Sequence, residues 1–269
     1  MTMQQFRSAR VTVVNPNGWR IVFDTVRIEF EIRSNADEDT APSYVRVYNL
    51  ADATASELAA GDNITVEAGY GLPDQLLYSG KVRSVFHERD RLNRITEIFL
   101  GGIIETESVE VFSHSGPADN RETVLAIADA MGTTVDLGTL SLVPLGQRDS
   151  WSINARPRDA MSIFLKPLNL KWHEENGQIR LAPTTGTLAV RNAVISEGST
   201  MIGSPSYVDE GKTGIRCRVV MTSQMRVGDT VHIESLLATG DFVVSTISQV
   251  GDNWQGDWYT EFEASEAVE

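Results

Sequence analysis

Apolar and polar side chains alternate strictly along residues 26–33 of the chain. In this stretch, VRIEFEIR, every second side chain is apolar and every intervening one is charged. Successive side chains of a β-strand point to opposite faces, so the pattern predicts a strand with one buried and one solvated face. Similar segments predict six more strands: Arg10 to Val14, Arg20 to Phe23, Tyr44 to Tyr48, Asn63 to Ala68, Leu76 to Phe86 and Arg94 to Leu100. Strands at this density predict an antiparallel sandwich or barrel.

One short helix is expected between these strands. Thr54 and Glu57 have the spacing of a capping box, and the segment from Ala55 to Ala60 tolerates a helix. Gly61 stands where a left-handed cap would end it.

The apolar period changes to that of a helix after about residue 105. Asp119 and Glu122 again have capping spacing, and Gly132 ends the apolar run. The apolar positions between them are one helical face: Val124, Ile127, Ala128 and Met131. A short strand is expected from Thr133 to Asp136.

A second helix of similar pattern is predicted to begin at Pro157, because proline suits the first helical position. Its apolar face is Met161, Phe164, Leu165 and Leu168. A strand from Leu170 to His173 and a second from Gln178 to Ala182 are then joined by the turn signal Asn176-Gly177. These two helix-strand units predict a small α+β domain.

The last part of the chain returns to strand patterns after a Thr-rich linker, Thr184 to Thr187. Strands are predicted at Asp229 to Glu234, Asp241 to Val250 and Gln255 to Glu263. The predicted fold is mainly β (α+β), with two antiparallel β-barrel or sandwich domains, residues 1–104 and 184–269, around an α+β domain of residues 105–183.

The net charge, the cysteine count and the lack of long apolar segments argue against several classes of function. The chain has 269 residues and a net charge of −14, which argues against binding to phosphate backbones. Cys217 is the sole cysteine, so no intrachain disulfide can form. We expect no signal peptide and no membrane insertion, since no segment approaches the apolar length that a span requires.

Residues that could carry catalysis or bind a metal lie apart in the sequence. The four histidines, His87, His114, His173 and His232, do not have metal-ligand spacing. Cys217 lies in an alternating segment that favours a buried hydrophobe over a nucleophile. No nucleophile elbow or nucleotide-binding loop is present, and Gly69-Tyr70-Gly71 is too short to hold a phosphate. We predict no catalytic, cofactor-binding or metal-binding residues.

Acidic and aromatic clusters leave alternatives open. Paired carboxylates of a cell-wall hydrolase could come from Glu105, Glu107 and Glu110, or from Glu174 and Glu175. Asp252, Asn253 and Asp257 could supply calcium oxygens, although a hairpin turn explains them better. Trp254, Trp258 and Tyr259 could form a saccharide platform. Core packing is favoured instead, because Trp258, Thr260 and Phe262 alternate with Tyr259, Glu261 and Glu263, as in a strand with one buried face.

Two sequence signatures resemble those of the baseplate or tail hub proteins of tailed bacteriophages. The first runs from Tyr48-Asn49-Leu50 through Gly61 and ITVEAGY, residues 64–70, to LYSGKV, residues 77–82. The second runs from MIGSPS, residues 201–206, to MRVGDTVHIES, residues 225–235. The closing stretch from Gly251-Asp252-Asn253 to Thr260 also fits that family.

The resemblance implies a structural virion protein of the phage tail or baseplate, assembled in the host cytoplasm. It implies two tail-tube-like domains in each chain and a homotrimer that joins the six-fold tail tube to the three-fold central spike. The implied partners are the tail tube or distal tail protein, the spike and other baseplate proteins. DNA is expected to pass through an acidic channel without specific binding, and no cofactor is expected. A tail-associated cell-wall hydrolase and a saccharide-binding receptor module are the alternatives.

Overall fold

Seven strands and one short helix form the first part of the chain, which we call the N-terminal β region (residues 6–101). The computed structural model describes residues 6–35, 43–90, 92–101, 109–114, 118–148, 151–175, 177–184, 189–208 and 214–266. The elements are β1 (Arg7–Val14), β2 (Arg20–Phe23), β3 (Ile28–Asn35), β4 (Ser43–Tyr48), α1 (Asp52–Ala55), β5 (Asn63–Tyr70), β6 (Gln75–Asp90) and β7 (Asn93–Leu100). All seven strands predicted from the alternation are confirmed.

The helix prediction in this region was wrong in position. Helix α1 begins at Asp52, its N-cap is Ala51, and no side chain caps it. Thr54 therefore lies inside the helix instead of capping it. Gly61 does take the left-handed conformation, with φ of 93°. Its N–H, however, donates to Val82 O of β6 and does not end helix α1.

The middle region (residues 109–184) packs two helices against a small sheet. Its elements are β8 (Glu110–His114), β9 (Ala118–Asp119), α2 (Asn120–Ala130), β10 (Thr134–Val135), α3 (Leu137–Leu140), β11 (Gln147–Arg148), β12 (Trp151–Ala155), α4 (Pro157–Leu165), β13 (Leu170–Glu175) and β14 (Gln178–Pro183). Asp119 caps α2 by accepting from Arg121 N at 2.7 Å. Both predicted helices and the β13–β14 pairing are confirmed, whereas α3 and the β8–β12 pair were not predicted. Asn176 of the predicted turn lies outside the described residues.

The C-terminal β region (residues 189–266) consists of β15 (Ala189–Ser196), β16 (Ser206–Tyr207), β17 (Gly214–Val219), β18 (Asp229–Glu234), β19 (Thr239–Asp252) and β20 (Trp258–Glu266). Most pairings are antiparallel, but β15 runs parallel to β18. A single bridge between Met201 and Val219 connects the segment after β15 to β17. Among the described residues, no further ladder closes this region into a barrel.

One 13-stranded sheet contains strands of both β regions. Its central path is β16-β17-β20-β19-β3-β4-β7-β6-β5-β1-β2, and β19 pairs antiparallel with β3. The predicted mainly β, α+β fold class is confirmed. Three hydrophobic clusters underlie the three regions, but the first also takes in Met221 and Trp258 from the C-terminal β region.

The strand pairings of the two β regions repeat each other. The path β3-β4-β7-β6-β5 has the counterpart β16-β17-β20-β19-β18. A bulge between Val82 and Ser84 of β6 recurs between Val244 and Thr246 of β19. Counted from the bulge, the pairs of β6 with β7 from Val82–Leu100 to Arg89–Arg94 have counterparts in the pairs of β19 with β20 from Val244–Ala264 to Gly251–Trp258. Five strands of the C-terminal β region therefore repeat the arrangement of five strands of the N-terminal β region. The next strand differs, because β15 runs parallel to β18 whereas β1 runs antiparallel to β5.

Candidate functional site at the junction of the two β regions

The two β regions meet where β3 pairs with β19, from Thr246 opposite Asn35 to Asp252 opposite Glu29. Backbone pairing continues the sheet across this boundary, so the regions are joined by a hydrogen-bonded ladder and a shared core. We call this contact the junction.

Asn253 fixes the register of the junction at one end. Its Oδ1 accepts from Ile28 N at 2.8 Å, and its Nδ2 donates to Val26 O at 2.9 Å. Beside it, Arg27 donates to Asp252 Oδ2 at 2.7 Å. This hydrogen bond raises the pKa of Arg27 above its usual value, so the guanidinium stays charged.

Trp258 of the C-terminal β region packs into the core of the N-terminal β region. Its ring packs edge to face on Phe30, with centroids 5.6 Å apart, and on Tyr70 at 6.4 Å. Tyr70 Oη also accepts from Met221 N at 3.2 Å. The core of the N-terminal β region is therefore completed by a residue near the C-terminal end.

A charged face lies opposite these cores and crosses the junction. We call it the broad face; it consists of the outward side chains of β17, β20, β19, β3, β4 and β7. Its arginines are Arg33, Arg46, Arg216 and Arg218, and its acidic residues are Glu29, Glu31, Glu97, Asp252, Glu261 and Glu263. Acidic side chains outnumber arginines on this face.

Each of these arginines is hydrogen-bonded to a carboxylate on the same face. Arg46 lies between two acids, at 2.8 Å from Glu97 and 3.1 Å from Glu29. The remaining pairs are Arg33 with Glu31, Arg216 with Glu263 and Arg218 with Glu261. The Arg46–Glu97 and Arg218–Glu261 pairs occupy equivalent positions in the two β regions. A phosphate approaching this face would have to displace a carboxylate from every arginine.

A groove of about 970 Å³ is lined by residues of both β regions. Its walls include Gln75 at the start of β6, Val194 of β15 and Met221 in the loop after β17. Gln75 Oε1 accepts from Ser223 N at 2.9 Å and ties this loop to the N-terminal β region.

The structure does not bring the candidate histidines together. His87 is exposed on β6, His173 is buried on β13, and His232 lies on β18 beside Asp241. The side chain of His114 is not described. Within the described ranges, no group of three or more His, Cys, Asp or Glu side chains is arranged to hold a metal.

Cys217 is a core residue. It is 1% exposed, and burial raises the pKa of its thiol to about 11. The thiol therefore stays protonated at neutral pH, as the alternating pattern predicted for a buried hydrophobe.

Three of the five candidate carboxylates, Glu110, Glu174 and Glu175, lie among the described residues. Glu105 and Glu107 lie outside the described residues, and Glu110 begins β8. Glu174 and Glu175 are consecutive on β13 and therefore point to opposite faces of the strand. Glu175 is also ion-paired with Arg180.

The other polar and aromatic candidates have structural roles. Asp252 Oδ1 accepts from Trp254 N at 2.9 Å, which is a turn contact. Trp258 is 3% exposed, whereas Trp254 is 68% exposed, so the two do not share one platform. Tyr259 lies under the guanidinium of Arg218 on the broad face. Core packing is confirmed for Trp258.

Sequence reasoning missed the broad face as a unit. Its residues come from six strands, and no sequence spacing reveals that Glu29 and Asp252 become neighbours. The available signal was the alternation of charged and apolar residues on β3 and β20.

In the part of the chain that the structure describes, no helix has the length and apolar character needed to cross a membrane.

The comparisons with known proteins rest on structure alone. No protein-family model and no curated protein matches this sequence. The 43 kDa tail protein of prophage MuSo2 from Shewanella oneidensis aligns with a TM-score of 0.62 at 10% identity, over 97% of this chain and 98% of that one. A tail protein from Neisseria meningitidis aligns with a TM-score of 0.65 at 11% identity, over 97% of this chain and 96% of that one.

A third solved structure is a component of the type VI secretion system of E. coli, described as structurally similar to the T4 bacteriophage tail proteins gp27 and gp5. It aligns with a TM-score of 0.58 at 9% identity, over 91% of this chain and 74% of that one. With nearly complete coverage in the first two cases, the chain has the fold of phage tail proteins.

Proposed function

We propose that the chain is a structural subunit of a phage-type tail baseplate, a homotrimeric hub that joins a six-fold tail tube to a three-fold central spike. The observation that carries this proposal is the repeated strand arrangement of the two β regions. It supports two tube-like domains, residues 1–104 and 184–269, with residues 105–183 as an α+β domain between them.

A repeated domain changes the symmetry that a ring can present. Three chains with two similar β regions each supply six similar units, so one ring can match a six-fold partner on one side and a three-fold partner on the other. Cyclic closure also leaves no unpaired copy of a head-to-tail interface. The partners proposed for the two sides are the tail tube or distal tail protein and the spike, with other baseplate proteins around the ring.

The broad face is the surface that we assign to the channel. It crosses both β regions without interruption, and carboxylates already occupy its arginines. Nucleic-acid affinity depends on cations that neutralise phosphates, and cations already paired with carboxylates contribute little of it. A channel lined in this way would let DNA pass without retaining it. The role is non-enzymatic, needs no cofactor and belongs to the virion, with assembly in the host cytoplasm.

The experiment is a mass measurement by light scattering at increasing protein concentration, combined with electron-microscope images of the particle. We expect a mass of three chains and a ring with a central opening. A ring of six chains, or a compact trimer without an opening, would contradict the hub.

The channel assignment has its own test in binding to double-stranded DNA at low salt. We expect no retention by the wild type, and weak retention by a Glu261→Gln, Glu263→Gln variant, because Arg216 and Arg218 then lose their carboxylate partners. Glu57→Gln, Glu122→Gln is the control with the same change of net charge away from the broad face. Equal binding by the two variants would assign any effect to net charge alone and remove the channel argument.

A further inference from the structure

The two β regions differ in how the second halves of their long strands are paired. Residues 246–252 of β19 lie between β20 and β3. The corresponding residues of β6, 84–90, pair with β7 on one side. The other partner of β6, β5, pairs only with residues 75–81. Within the described strands, this half of β6 has one open edge.

The open half of β6 is also the most exposed part of that strand. Ser84 and Val85 are partly covered, whereas every residue from Phe86 to Asp90 is exposed, and Phe86 itself is 56% exposed. The equivalent half of β19 is covered at the junction. The contrast follows from the missing neighbour.

A second open edge lies at the opposite end of the sheet. Strand β16 pairs with β17 as β3 pairs with β4, because Ser206 lies opposite Arg216 in the way that Glu31 lies opposite Tyr44. Strand β3 uses its other edge to pair with β19, whereas β16 has no second partner among the described strands. The C-terminal β region therefore presents the edge that β3 uses at the junction.

We propose that residues 206–208 of one copy of this chain, which are β16 and Val208, pair with residues 86–88 of β6 in the next copy, in the register of the β3–β19 junction. This inference rests on the proposed ring and names the contact that would close it. The contact within the chain and the contact between chains would then pair equivalent strands in the same register.

The register follows residue by residue from the junction. Arg33 opposite Ser248 corresponds to Val208 opposite Phe86 of the neighbouring copy, and Glu31 opposite Val250 corresponds to Ser206 opposite Glu88. Val208 is 46% exposed in the single chain. The mapped register therefore brings together two exposed apolar side chains, which would contact each other across the strand pair.

Two features limit the pairing to a specific partner. Pro205 precedes β16 and has no N–H to donate, so the ladder is short at that end. The charges of Glu88, Arg89 and Asp90 discourage pairing with an arbitrary apolar strand, a common protection of open edges. A partner strand in the mapped register places the neutral Ser206 opposite Glu88.

The experiment uses disulfide trapping in a Phe86→Cys, Val208→Cys variant of the full chain. Paired residues of neighbouring strands have Cα atoms about 4.5 to 5.5 Å apart, within the range that a disulfide spans. Cys217 can remain, because it is buried and its thiol is protonated. Within one chain, β16 and β6 are separated in the sheet by β17, β20, β19, β3, β4 and β7. A disulfide between them would therefore join different chains.

The matched control is Asp90→Cys, Val208→Cys, in which the cysteines are out of register by four residues, or roughly 13 Å along the strand. After mild oxidation we expect covalent dimers and trimers on a denaturing gel from the in-register variant, at least about tenfold more than from the control.

The outcomes separate this inference from the ring itself. A wild-type trimer whose in-register variant forms no more covalent oligomer than the control overturns the β16–β6 pairing and leaves the trimer standing. In-register cross-links in an assembly that does not contain three chains support the pairing and overturn the three-fold hub. A chain that stays monomeric at every concentration and forms no cross-link overturns both.

Discussion

Asn253 and Ile28 exchange two hydrogen bonds across the junction. Ile28 N donates to Asn253 Oδ1 at 2.8 Å, and Asn253 N donates to Ile28 O at 3.1 Å. The side-chain amide thus imitates one more residue pair of the β3–β19 ladder, at the point where β19 has already turned away.

Replacing this amide is expected to weaken the junction. Asn253→Ala leaves Ile28 N and Val26 O without their side-chain partner, which should lower the free energy of unfolding by about 1 to 3 kcal/mol. Urea unfolding measures the change, and Gln255→Ala in the same loop is the control because Gln255 is exposed. Equal midpoints for the two variants would mean that water replaces the amide without cost.

His173 should make stability depend on acidity. Its ring is 1% exposed, both ring nitrogens lack a hydrogen-bond partner, and it lines a cavity of about 140 Å³ with Lys171 and Ser245. Burial first, and then the charges of Arg180 and Lys171, lower the pKa of His173 to about 4. Because the folded-state pKa lies below that of the unfolded chain, this group's contribution to stability is fully present above about pH 6.5 and is lost as the pH falls toward 4.

The size of that effect can be measured by difference. Between pH 7.5 and pH 5, the free energy of unfolding should fall by roughly 2 kcal/mol more in the wild type than in the His173→Gln variant, which carries no titrating ring at this position. His87→Gln, at an exposed position, should keep the wild-type dependence. A wild-type ring that titrates near pH 6.5 in an NMR experiment on the folded protein would contradict the buried neutral state.

Gly251 is expected to be sensitive to a single methyl group. A Cβ at this position would lie 2.3 Å from Cζ of Phe30, inside the core that Trp258 completes. Gly251→Ala should therefore cost about 1 to 3 kcal/mol through overpacking. Gly138→Ala is the control, since its Cβ would lie 3.4 Å from the flexible carboxylate of Asp136. Thermal unfolding distinguishes the two, and unchanged stability in both would show that the Phe30 ring can move aside.

Gly203 should be sensitive for a different reason. Its φ is 75°, a left-handed conformation, and a Cβ would meet nothing within 4 Å. A substitution here is therefore penalised by backbone strain alone. Gly203→Val should lower the free energy of unfolding by about 1 to 3 kcal/mol, and Gly203→Asn by clearly less. If the two variants unfold at the same temperature, the bend has relaxed into another conformation and carries no strain.

Local patterns predicted the elements better than their partners. The alternation in β3 placed Phe30 in the core and Glu29 on the surface, because burial of one strand face depends on period alone. The same pattern could not reveal that β3 pairs with β19, since their contacts join residues more than 200 positions apart in the sequence. The predicted position of helix α1 was wrong because its N-cap, Ala51, makes no side-chain hydrogen bond, so no capping residue marks the start of the helix in the sequence.

The candidate site illustrates the same division. The alternation around Trp258 correctly placed its side chain inside, but nothing in it indicated that the ring completes the N-terminal core instead of its own. The paired arginines of the broad face were likewise beyond sequence reasoning, because each ion pair except Arg33–Glu31 joins different strands. Charge composition gave only the overall acidity.

The position of Trp258 in the core of the N-terminal β region has a consequence for synthesis. A ribosome releases the first hundred residues long before residue 258, so the nascent chain must hold β1 to β7 with an unfilled place beside Phe30 and Tyr70. We expect this intermediate to be less stable than the finished region and to complete its packing only after Trp258 has left the ribosome. Since β19 is also made late, β3 remains an exposed strand edge during elongation, and the full sheet forms only after β19 and β20 have been made.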